Sequence, residues 1–273
     1  MQTGIKNKLA LVTASTQGIG FATAKMLAEE GAAVRVHGRG GESLERALQR
    51  IRQAVPGAEV QGVAADLATD DGVAQLLEQL PAVDILVNGY ADTGAKMLAD
   101  VRAADWDSIL HNNLATTSAI STHYLTGMLQ KGWGRMVFVS SDLALRPLPY
   151  MVPYSAAKMA QLTLARGLAE MTAGSEVRVN AVMPGFTLTE RTESILRSTA
   201  DRHGIPFDRF MHDYFNDPAC SYVAEVGHAT SLIKRLLRPE EVASMIVYLC
   251  SELSSGTNGA TLRCDGGATL TAL

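Results

Sequence analysis

The sequence has few cysteines. Its 273 residues include three of them, Cys220, Cys250 and Cys264, and no CxxC pair. All three lie in the last quarter of the chain, which argues against a disulfide framework or a cysteine-rich zinc site. We therefore expect no metal site and a reducing, cytoplasmic compartment.

Long apolar runs and an excess of one charge are also missing. No stretch of about 18 apolar residues occurs, so no membrane span is predicted. The first apolar run, residues 9–14, is too short for the core of a signal peptide. Lys and Arg total 24 against 28 for Asp and Glu, which argues against a dedicated nucleic-acid binder. Hydrophobic residues make up 47% of the chain, enough for a large core.

Short, almost entirely apolar runs alternate with longer amphipathic stretches. The predicted strands are residues 9–13, 33–37, 60–64, 84–88, 135–140, 177–183 and 260–264. The predicted helices are residues 18–30, 42–55, 70–80, 104–131, 153–173 and 239–250. This alternation predicts an α/β fold in which a doubly wound parallel sheet has helices on both faces. No repeat or linker interrupts it, so we expect a single domain over residues 1–273, with its ligand site beyond the carboxyl ends of the strands.

The pattern weakens between residues 186 and 238. Residues 189–202 are predicted to be helical, and residues 206–214 form a short segment with aromatic side chains. We interpret this region as a lid over the ligand site.

Three motifs lie at predicted strand ends or on helices. Residues 13–20, TASTQGIG, place glycines between a strand and a helix, where backbone N–H groups bind phosphate, although a plain tight turn fits equally well. Tyr154 and Lys158 are four residues apart and share a helix face, so the ammonium is expected to lower the phenol pKa from ~10. A surface tyrosine and an unrelated lysine are the alternative. Ser141 closes the fifth strand, where it either meets a ligand or caps the backbone.

In combination these features resemble the short-chain dehydrogenase/reductase family, in particular its 3-oxoacyl-reductase-like group, over nearly the whole chain. The separation of 13 positions between Ser141 and Tyr154 is the one expected in this family. The other matching features follow in family order: Asp66-Leu67, Asn88, Trp106, Asn113-Leu114, Val179-Asn180, Pro184-Gly185, Thr189, Arg235, residues 239–243 and residues 265–267. The resemblance implies a Rossmann-type fold and a bound nicotinamide dinucleotide.

The resemblance also implies roles for four catalytic residues. Tyr154 would be the general acid and base, and Lys158 would depress its pKa and bind the nicotinamide ribose. Ser141 would donate a hydrogen bond to the reacting oxygen. Asn113 would hold a water that links Lys158 to solvent; its neighbour Asn112 is the alternative assignment.

A larger set of residues would hold the cofactor. Asp66 and Leu67 would contact the adenine, and Thr187 and Thr189 the carboxamide. The complete set is Ser15, Thr16, Gln17, Gly18, Ile19, Gly20, Arg39, Asp66, Leu67, Asn88, Gly89, Tyr154, Lys158, Pro184, Gly185, Thr187 and Thr189.

The sequence departs from the family pattern at two places. Ala14 replaces the first glycine of the loop, which is tolerated only if its backbone angles are ordinary. Residues 88–91 read Asn-Gly-Tyr-Ala, where the family usually has Asn-Asn-Ala-Gly. The position of this second loop at a strand end is unaffected.

The end of the second strand bears on the choice of cofactor. NAD-specific relatives usually have an Asp at the position of Gly38, where it binds the adenosine ribose. Gly38 leaves room instead, and Arg39 offers a fork of donors to a 2′-phosphate, so NADP(H) is favoured over NAD(H). Arg39 stacked on adenine or facing solvent is the alternative. Gln17 weakens the NADP interpretation, because many NADP-using relatives have a basic residue there.

We therefore expect an NADP(H)-dependent oxidoreductase that interconverts a ketone and a secondary alcohol. The alternative is an NAD-dependent dehydrogenase of a polyol or cyclic alcohol; a cofactor-sensing regulator would not need the catalytic set. Asp142 and Leu143 are expected to touch the small-molecule substrate. Apolar or small residues on more than one face of the helices at residues 104–131 and 153–173 favour a homotetramer, or else a dimer.

Overall fold

A parallel sheet of seven strands forms the centre of the molecule in the computed structural model, which describes residues 2–217, 220 and 231–271. The strand order is β3-β2-β1-β4-β5-β6-β7, and all neighbours are parallel. The order reverses between β1 and β4, which places the ligand crevice at their carboxyl ends. The strands are β1 (Leu9–Val12), β2 (Ala33–Gly38), β3 (Val60–Ala64), β4 (Ile85–Asn88), β5 (Trp133–Val139), β6 (Glu176–Pro184) and β7 (Thr261–Cys264).

Helices connect the strands and cover both faces, which confirms the predicted doubly wound fold. They are α1 (Gly18–Glu29), α2 (Glu42–Ala54), α3 (Asp70–Gln79), α4 (Ala103–Leu110), α5 (Thr116–Lys131), α6 (Val152–Glu170), α7 (Glu190–Arg202), α8 (Phe207–Asn216) and α9 (Pro239–Cys250). Most predicted bounds hold to within a residue or two. The fifth strand begins two residues early, because Gly132 (φ 75°) ends α5 directly before it.

The hydrophobic core consists of two layers, one on each face of the sheet. Alternation along β1 directs Ala10 and Val12 into the first layer and Leu11 into the second. Helices α1, α2 and α9 cover the first layer, and α3, α5 and α6 cover the second. Each fully buried Leu or Ile contributes about 1.5–3 kcal/mol, so both layers stabilise the sheet that positions the site.

The prediction of one continuous α-helix over residues 104–131 is wrong in the middle of that range. A π-helical turn, His111–Ala115, separates α4 from α5, and the Thr116 N–H donates to the His111 carbonyl, five residues back. Both Asn112 and Asn113 are buried in this turn. Such π-turns occur frequently at functional sites.

The predicted lid is more helical than its sequence pattern indicates. The helix expected over residues 189–202 is present as α7, and the aromatic segment forms α8. The two helices share a small apolar cluster with Leu236, which includes Leu196, Phe210 and Tyr214. The rest of the predicted lid, residues 218, 219 and 221–230, lies outside the described residues. None of the helices described combines the length and apolar content that a membrane span requires.

Candidate active site

The loop between β1 and α1 is held by hydrogen bonds to both neighbouring strands. The Thr13 hydroxyl donates to the Val87 carbonyl (3.3 Å) and accepts from the N–H groups of Gly89 (2.9 Å) and Tyr90 (3.1 Å). The Ser15 hydroxyl donates to the Val12 carbonyl (2.6 Å) and accepts from a β2 N–H. Since the Ser15 N–H also donates within the protein, this residue supports the loop rather than presenting a free donor.

The loop turns so tightly that one glycine is required and one alanine is strained. A Cβ atom on Gly20 would lie 2.5 Å from the Ala14 carbonyl oxygen. The condition set for Ala14, ordinary backbone angles, is not met, because its φ is 53°. The left-handed region costs an L-residue roughly 1–2 kcal/mol. The Ala14 N–H compensates in part by donating to His37 Nδ1 at 2.9 Å.

His37, which the sequence analysis did not select, is buried and fixes this strained turn. Because Nδ1 accepts from Ala14, Nε2 carries the proton and donates to the Ala65 carbonyl at 3.1 Å. Burial lowers the pKa of His37 to about 4, against the effects of the Ala65 hydrogen bond and the Asp66 charge. The imidazole is therefore neutral at physiological pH.

Acidification should destabilise the protein through His37. The unfolded state takes up this proton near pH 6.5 and the folded state only near pH 4, so stability present above pH 6.5 is lost as the pH falls to about 4. The loss amounts to about 3 kcal/mol at most. Urea unfolding at a series of pH values should show the free energy of unfolding falling between pH 6.5 and 4 in the wild type. Most of this slope should be absent in His37→Asn. Equal slopes in the two proteins would contradict the assignment.

The N-terminus of α1 donates a hydrogen bond to a carboxyl side chain from a distant segment. Gln17 precedes the helix without a side-chain cap, and the first turn has no acidic residue. The Gly18 N–H donates instead to Glu190 Oε2 at 3.1 Å, and this carboxylate belongs to the first turn of α7. It stands where the helix dipole and free N–H groups favour a phosphate, so the loop fits the pyrophosphate of a dinucleotide.

The predicted adenosine-binding residues surround the ends of β2 and β3. Asp66 and Arg39 are exposed, and both charges act on the partly buried Tyr90 phenol, whose pKa is raised mainly by burial. Leu67 is buried, and its carbonyl accepts from Thr116 at 3.2 Å. A Cβ on Gly38 would lie 2.6 Å from Thr16 Cγ2, so the space there is narrower than expected from sequence.

The remaining predicted cofactor residues lie at the ends of β4 and β6 or in α1. Asn88 Nδ2 donates to Ser121 Oγ at 3.0 Å. Pro184 ends β6 and Gly185 follows it, and the Thr187 hydroxyl donates to the Gly185 carbonyl at 2.9 Å. Thr189 caps α7, its hydroxyl accepting from the Thr192 N–H, and a Cβ on Gly18 would lie 3.0 Å from its methyl. Ile19 lies in the first turn of α1.

Ser141 and Tyr154 come together between β5 and α6. The Ser141 hydroxyl accepts from the Leu143 N–H (3.2 Å) and donates to Asp142 Oδ1 (3.3 Å). Burial raises the pKa of Tyr154 to about 12; the nearby Ser141 hydroxyl opposes the rise, and the Asp142 charge adds to it. The expected lowering of this pKa by Lys158 is therefore wrong for the ligand-free protein, because desolvation raises the pKa by more than the contact with Ser141 lowers it.

Lys158 is almost completely buried, with 2% of its surface exposed. Its Nζ donates to the Val139 carbonyl at 2.8 Å and to Gln161 Oε1 at 3.0 Å. The same atom lies 5.6 Å from the centroid of the Tyr154 ring. Burial lowers the pKa of Lys158 to about 7, so the ammonium is close to its titration point near neutral pH.

Asn113, rather than Asn112, is connected to Lys158. The Asn113 side chain donates to the carbonyls of Asp92 (2.9 Å) and Ile109 (3.0 Å). The main-chain carbonyl of Asn113 accepts from Gln161 Nε2 at 2.5 Å. Asn112 accepts a bond from the Tyr90 phenol instead. The link from Asn113 to Lys158 therefore runs through the Gln161 amide, and a water held there would have to share the carbonyl with it.

Sequence reasoning also missed Arg146 and Glu190. Arg146 Nε donates to the buried carboxylate of Asp142 at 3.1 Å, which fixes the residue directly after Ser141. The spacing of four residues was the available signal for this pair. No local sequence pattern indicates the role of Glu190, because its partner Gly18 is 172 positions away.

The structure is that of a Rossmann-type nucleotide-binding protein. It has a parallel sheet, a strand order that reverses between β1 and β4, and a phosphate-type loop between β1 and α1. A family model described as short chain dehydrogenase matches residues 8–200, and one described as Enoyl-(Acyl carrier protein) reductase matches residues 216–269. The chain belongs to the short-chain dehydrogenase/reductase family, whose members are oxidoreductases that use NAD(P).

Similar proteins include an oxidoreductase and two reductases. The chain is 40% identical to an uncharacterized oxidoreductase, YvrD, of Bacillus subtilis over 270 residues, covering 98% of each chain. It is 30% identical to the 3-oxoacyl-[acyl-carrier-protein] reductase FabG of Aquifex aeolicus, over 98% of this chain and 99% of that one. The solved L-sorbose reductase of Gluconobacter frateurii, complexed with NADPH and L-sorbose, superimposes with a TM-score of 0.88 at 26% identity, covering 99% of this chain and 100% of that chain.

Proposed function

We propose that the protein is an NADP(H)-dependent oxidoreductase that interconverts a ketone and a secondary alcohol. The observation that carries this proposal is that Ser141, Tyr154 and buried Lys158 lie at the carboxyl end of β5, on the same edge of the sheet as the loop between β1 and α1. A cofactor sensor would need the loop but no acid or base. The L-sorbose and 3-oxoacyl reductases among the similar proteins support a carbonyl substrate.

The catalytic roles follow from the protonation states of Tyr154 and Lys158. The Tyr154 phenol keeps its proton at neutral pH, which suits a general acid that protonates a carbonyl oxygen during reduction. Ser141 would turn its hydroxyl from Asp142 towards that oxygen and stabilise the developing alkoxide. Lys158, with a pKa of about 7, can return a proton to the site at neutral pH.

The cofactor would lie across the carboxyl ends of β1 and β4. When bound, NADPH supplies the hydride. The α1 N-terminus with Gly18 would hold the pyrophosphate, Lys158 the nicotinamide ribose and Asp66 the adenine. Exposed Arg39 and the absence of an acid at Gly38 favour a 2′-phosphate and hence NADP(H) over NAD(H).

A panel of carbonyl compounds tests the function. Acyl thioesters, cyclic ketones and keto sugars are supplied separately with NADPH and with NADH, and the loss of reduced-cofactor absorbance is followed. We expect reduction of at least one class, faster with NADPH. Faster oxidation of a polyol or cyclic alcohol with NAD would favour the alternative dehydrogenase. Tight cofactor binding without turnover on any substrate would indicate a sensor.

Removal of the Glu190 charge should strengthen cofactor binding. The carboxylate holds the Gly18 N–H that a pyrophosphate would use, and it would repel the arriving phosphates. Charges at a helix N-terminus contribute about 0.3–1 kcal/mol, so Glu190→Gln should lower the Kd for NADPH by roughly two- to fivefold. Fluorescence titration measures this. Glu193→Gln, which removes a charge paired with Arg197 on the same helix, is the matched control and should leave the Kd unchanged.

The segment over residues 186–238 is proposed to cover the substrate as part of a single domain spanning residues 1–273. Its described helices, α7 and α8, pack mainly on each other and on Leu236. Thr189 and Glu190, which begin this segment, contact the loop at Gly18, so cofactor binding and lid position are coupled.

A homotetramer is the proposed assembly, and a cytoplasmic location stays a prediction. Helix α6 packs on the sheet through Ala165 and Leu168 but leaves Ala156 exposed and Met159 39% exposed. This second face has small and apolar side chains, which permit the close approach of another helix.

A further inference from the structure

Gln161 is a buried polar residue to which neither the fold nor the expected catalytic set assigns a role. It lies on α6, three positions after Lys158, and 1% of its surface is exposed. Its amide is hydrogen-bonded at both ends. Oε1 accepts from Lys158 Nζ at 3.0 Å, and Nε2 donates to the Asn113 carbonyl at 2.5 Å and to Thr117 Oγ1 at 3.4 Å.

The chemistry of its neighbours fixes the orientation of this amide. An ammonium offers only donors, so the oxygen of Gln161 must face Lys158. A main-chain carbonyl only accepts, so the nitrogen must face Asn113. Glutamic acid in its ionised form would set a carboxylate against that carbonyl, and an apolar side chain would leave both groups without this partner. Among side chains of this length, glutamine alone meets both demands without depending on its own protonation state.

We propose that Gln161 is a positioning residue for catalysis, which holds the Lys158 ammonium in place and couples it to the π-turn at Asn113. The contact with Val139 and the contact with Gln161 use two of the three Nζ hydrogens. The third is thereby left for the cofactor ribose and the Tyr154 side of the crevice. An amide fixes an ammonium without passing on its proton, so this link sets the position and charge of Lys158 rather than supplying protons.

The π-turn gives the contact its geometric basis. The turn packs against α6, and Asn113 is buried in it, with its side chain held by the Asp92 and Ile109 carbonyls. The Asn113 carbonyl is therefore a rigid acceptor. Gln161 transmits this rigidity to Lys158 across one side chain.

Two substitutions of similar size should move the pKa of Lys158 in opposite directions. Gln161→Met removes an acceptor from a buried ammonium and should lower this pKa by about one unit. Gln161→Glu places a carboxylate beside the ammonium and should raise it by about one unit or more. Thr117→Val removes only the hydrogen bond from Gln161 Nε2 to Thr117 Oγ1. It is the matched control and should leave the pKa of Lys158 unchanged.

Carbon-13 NMR of the lysine ε-carbons in the ligand-free protein measures this pKa directly. Lys158 is one of seven lysines, and its signal is assigned by its loss in Lys158→Met. Opposite shifts in the Met and Glu variants support the proposal. Unchanged values, or shifts of the same sign in folded variants, overturn it. Because the two shifts differ in sign, either variant decides the matter if the other fails to fold, as judged by circular dichroism.

The consequence for catalysis rests on the proposed function and is measured separately. The pH profile of kcat/KM for carbonyl reduction should move with the pKa of Lys158, down for Met and up for Glu. An unmoved profile beside a moved NMR pKa would show that Lys158 does not control the rate, which overturns the catalytic part of the proposal. Absence of any reductase activity in the wild type would reject the proposed function and leave the NMR result standing.

Discussion

Replacement of Tyr154 by Phe should lower the rate of carbonyl reduction by about 10²-fold or more, the usual contribution of a positioned general acid. The substitution removes only the hydroxyl and retains the ring, whose centroid lies 5.6 Å from Lys158 Nζ. The carbonyl oxygen then loses its proton donor, while the hydrogen bond from Ser141 remains available. Binding of NADPH should change little, since most of its predicted contacts lie in other elements.

The measurement is turnover of the best substrate from the carbonyl panel, with NADPH binding titrated in parallel. Tyr248→Phe is the matched control, because Tyr248 is 41% exposed on α9, outside the predicted site. Its turnover should equal that of the wild type. Near-normal turnover of Tyr154→Phe would remove this residue from its proposed role and would require another donor in the crevice.

Replacement of Arg39 by Ala should weaken NADPH binding by roughly 10- to 100-fold, since hydrogen bonds between charged groups contribute about 1.5–3 kcal/mol. Binding of NADH should change by less than about twofold, because it has no 2′-phosphate for the guanidinium to meet. Arg39 is exposed and has no acid beside it on β2, so its fork of donors is available.

Titration of both cofactors against the same preparations tests this difference. Arg46→Ala removes a positive charge from α2 that is paired with Glu42, and it should affect neither cofactor. If Arg39→Ala weakened NADPH and NADH equally, the contact with the 2′-phosphate would be refuted.

The reciprocal change introduces an acid at the end of β2. Gly38→Asp should favour NADH by offering an acceptor to the ribose and repelling the 2′-phosphate. The structure adds a requirement that the sequence does not reveal, because the new Cβ would lie 2.6 Å from Thr16 Cγ2. Thr16→Ser removes this methyl group, so the double variant should show the change in preference more fully than Gly38→Asp alone.

Much of this architecture is legible in the sequence because it depends on local patterns. Apolar runs such as Val60–Ala64 and the acidic first turn of Pro239–Cys250 predict their elements to the residue. The π-turn at Asn113 cannot be predicted from the sequence, because its residues continue the same amphipathic pattern as the helices on either side. The change from hydrogen bonds four residues back to hydrogen bonds five residues back does not alter the residue composition of the segment.

The unpredicted parts of the site depend on contacts between distant segments. Gln161 meets Asn113 across 48 positions, and Ala14 meets His37 across 23. The burial that raises the pKa of Tyr154 and lowers that of Lys158 likewise arises only once β5, α5 and α6 are assembled. The sequence pattern therefore indicates which groups are present and leaves their charge states to the folded environment.

The hydrogen bonds of Thr13 have a consequence for the order of folding. Its hydroxyl accepts from the N–H groups of Gly89 and Tyr90, which lie 76 and 77 positions further along the chain. Contacts of such separation form slowly, and a chain leaving the ribosome lacks them until β4 has been synthesised. A nascent chain that ends before β4 thus contains every residue of the loop at 13–20 but cannot complete its hydrogen bonding.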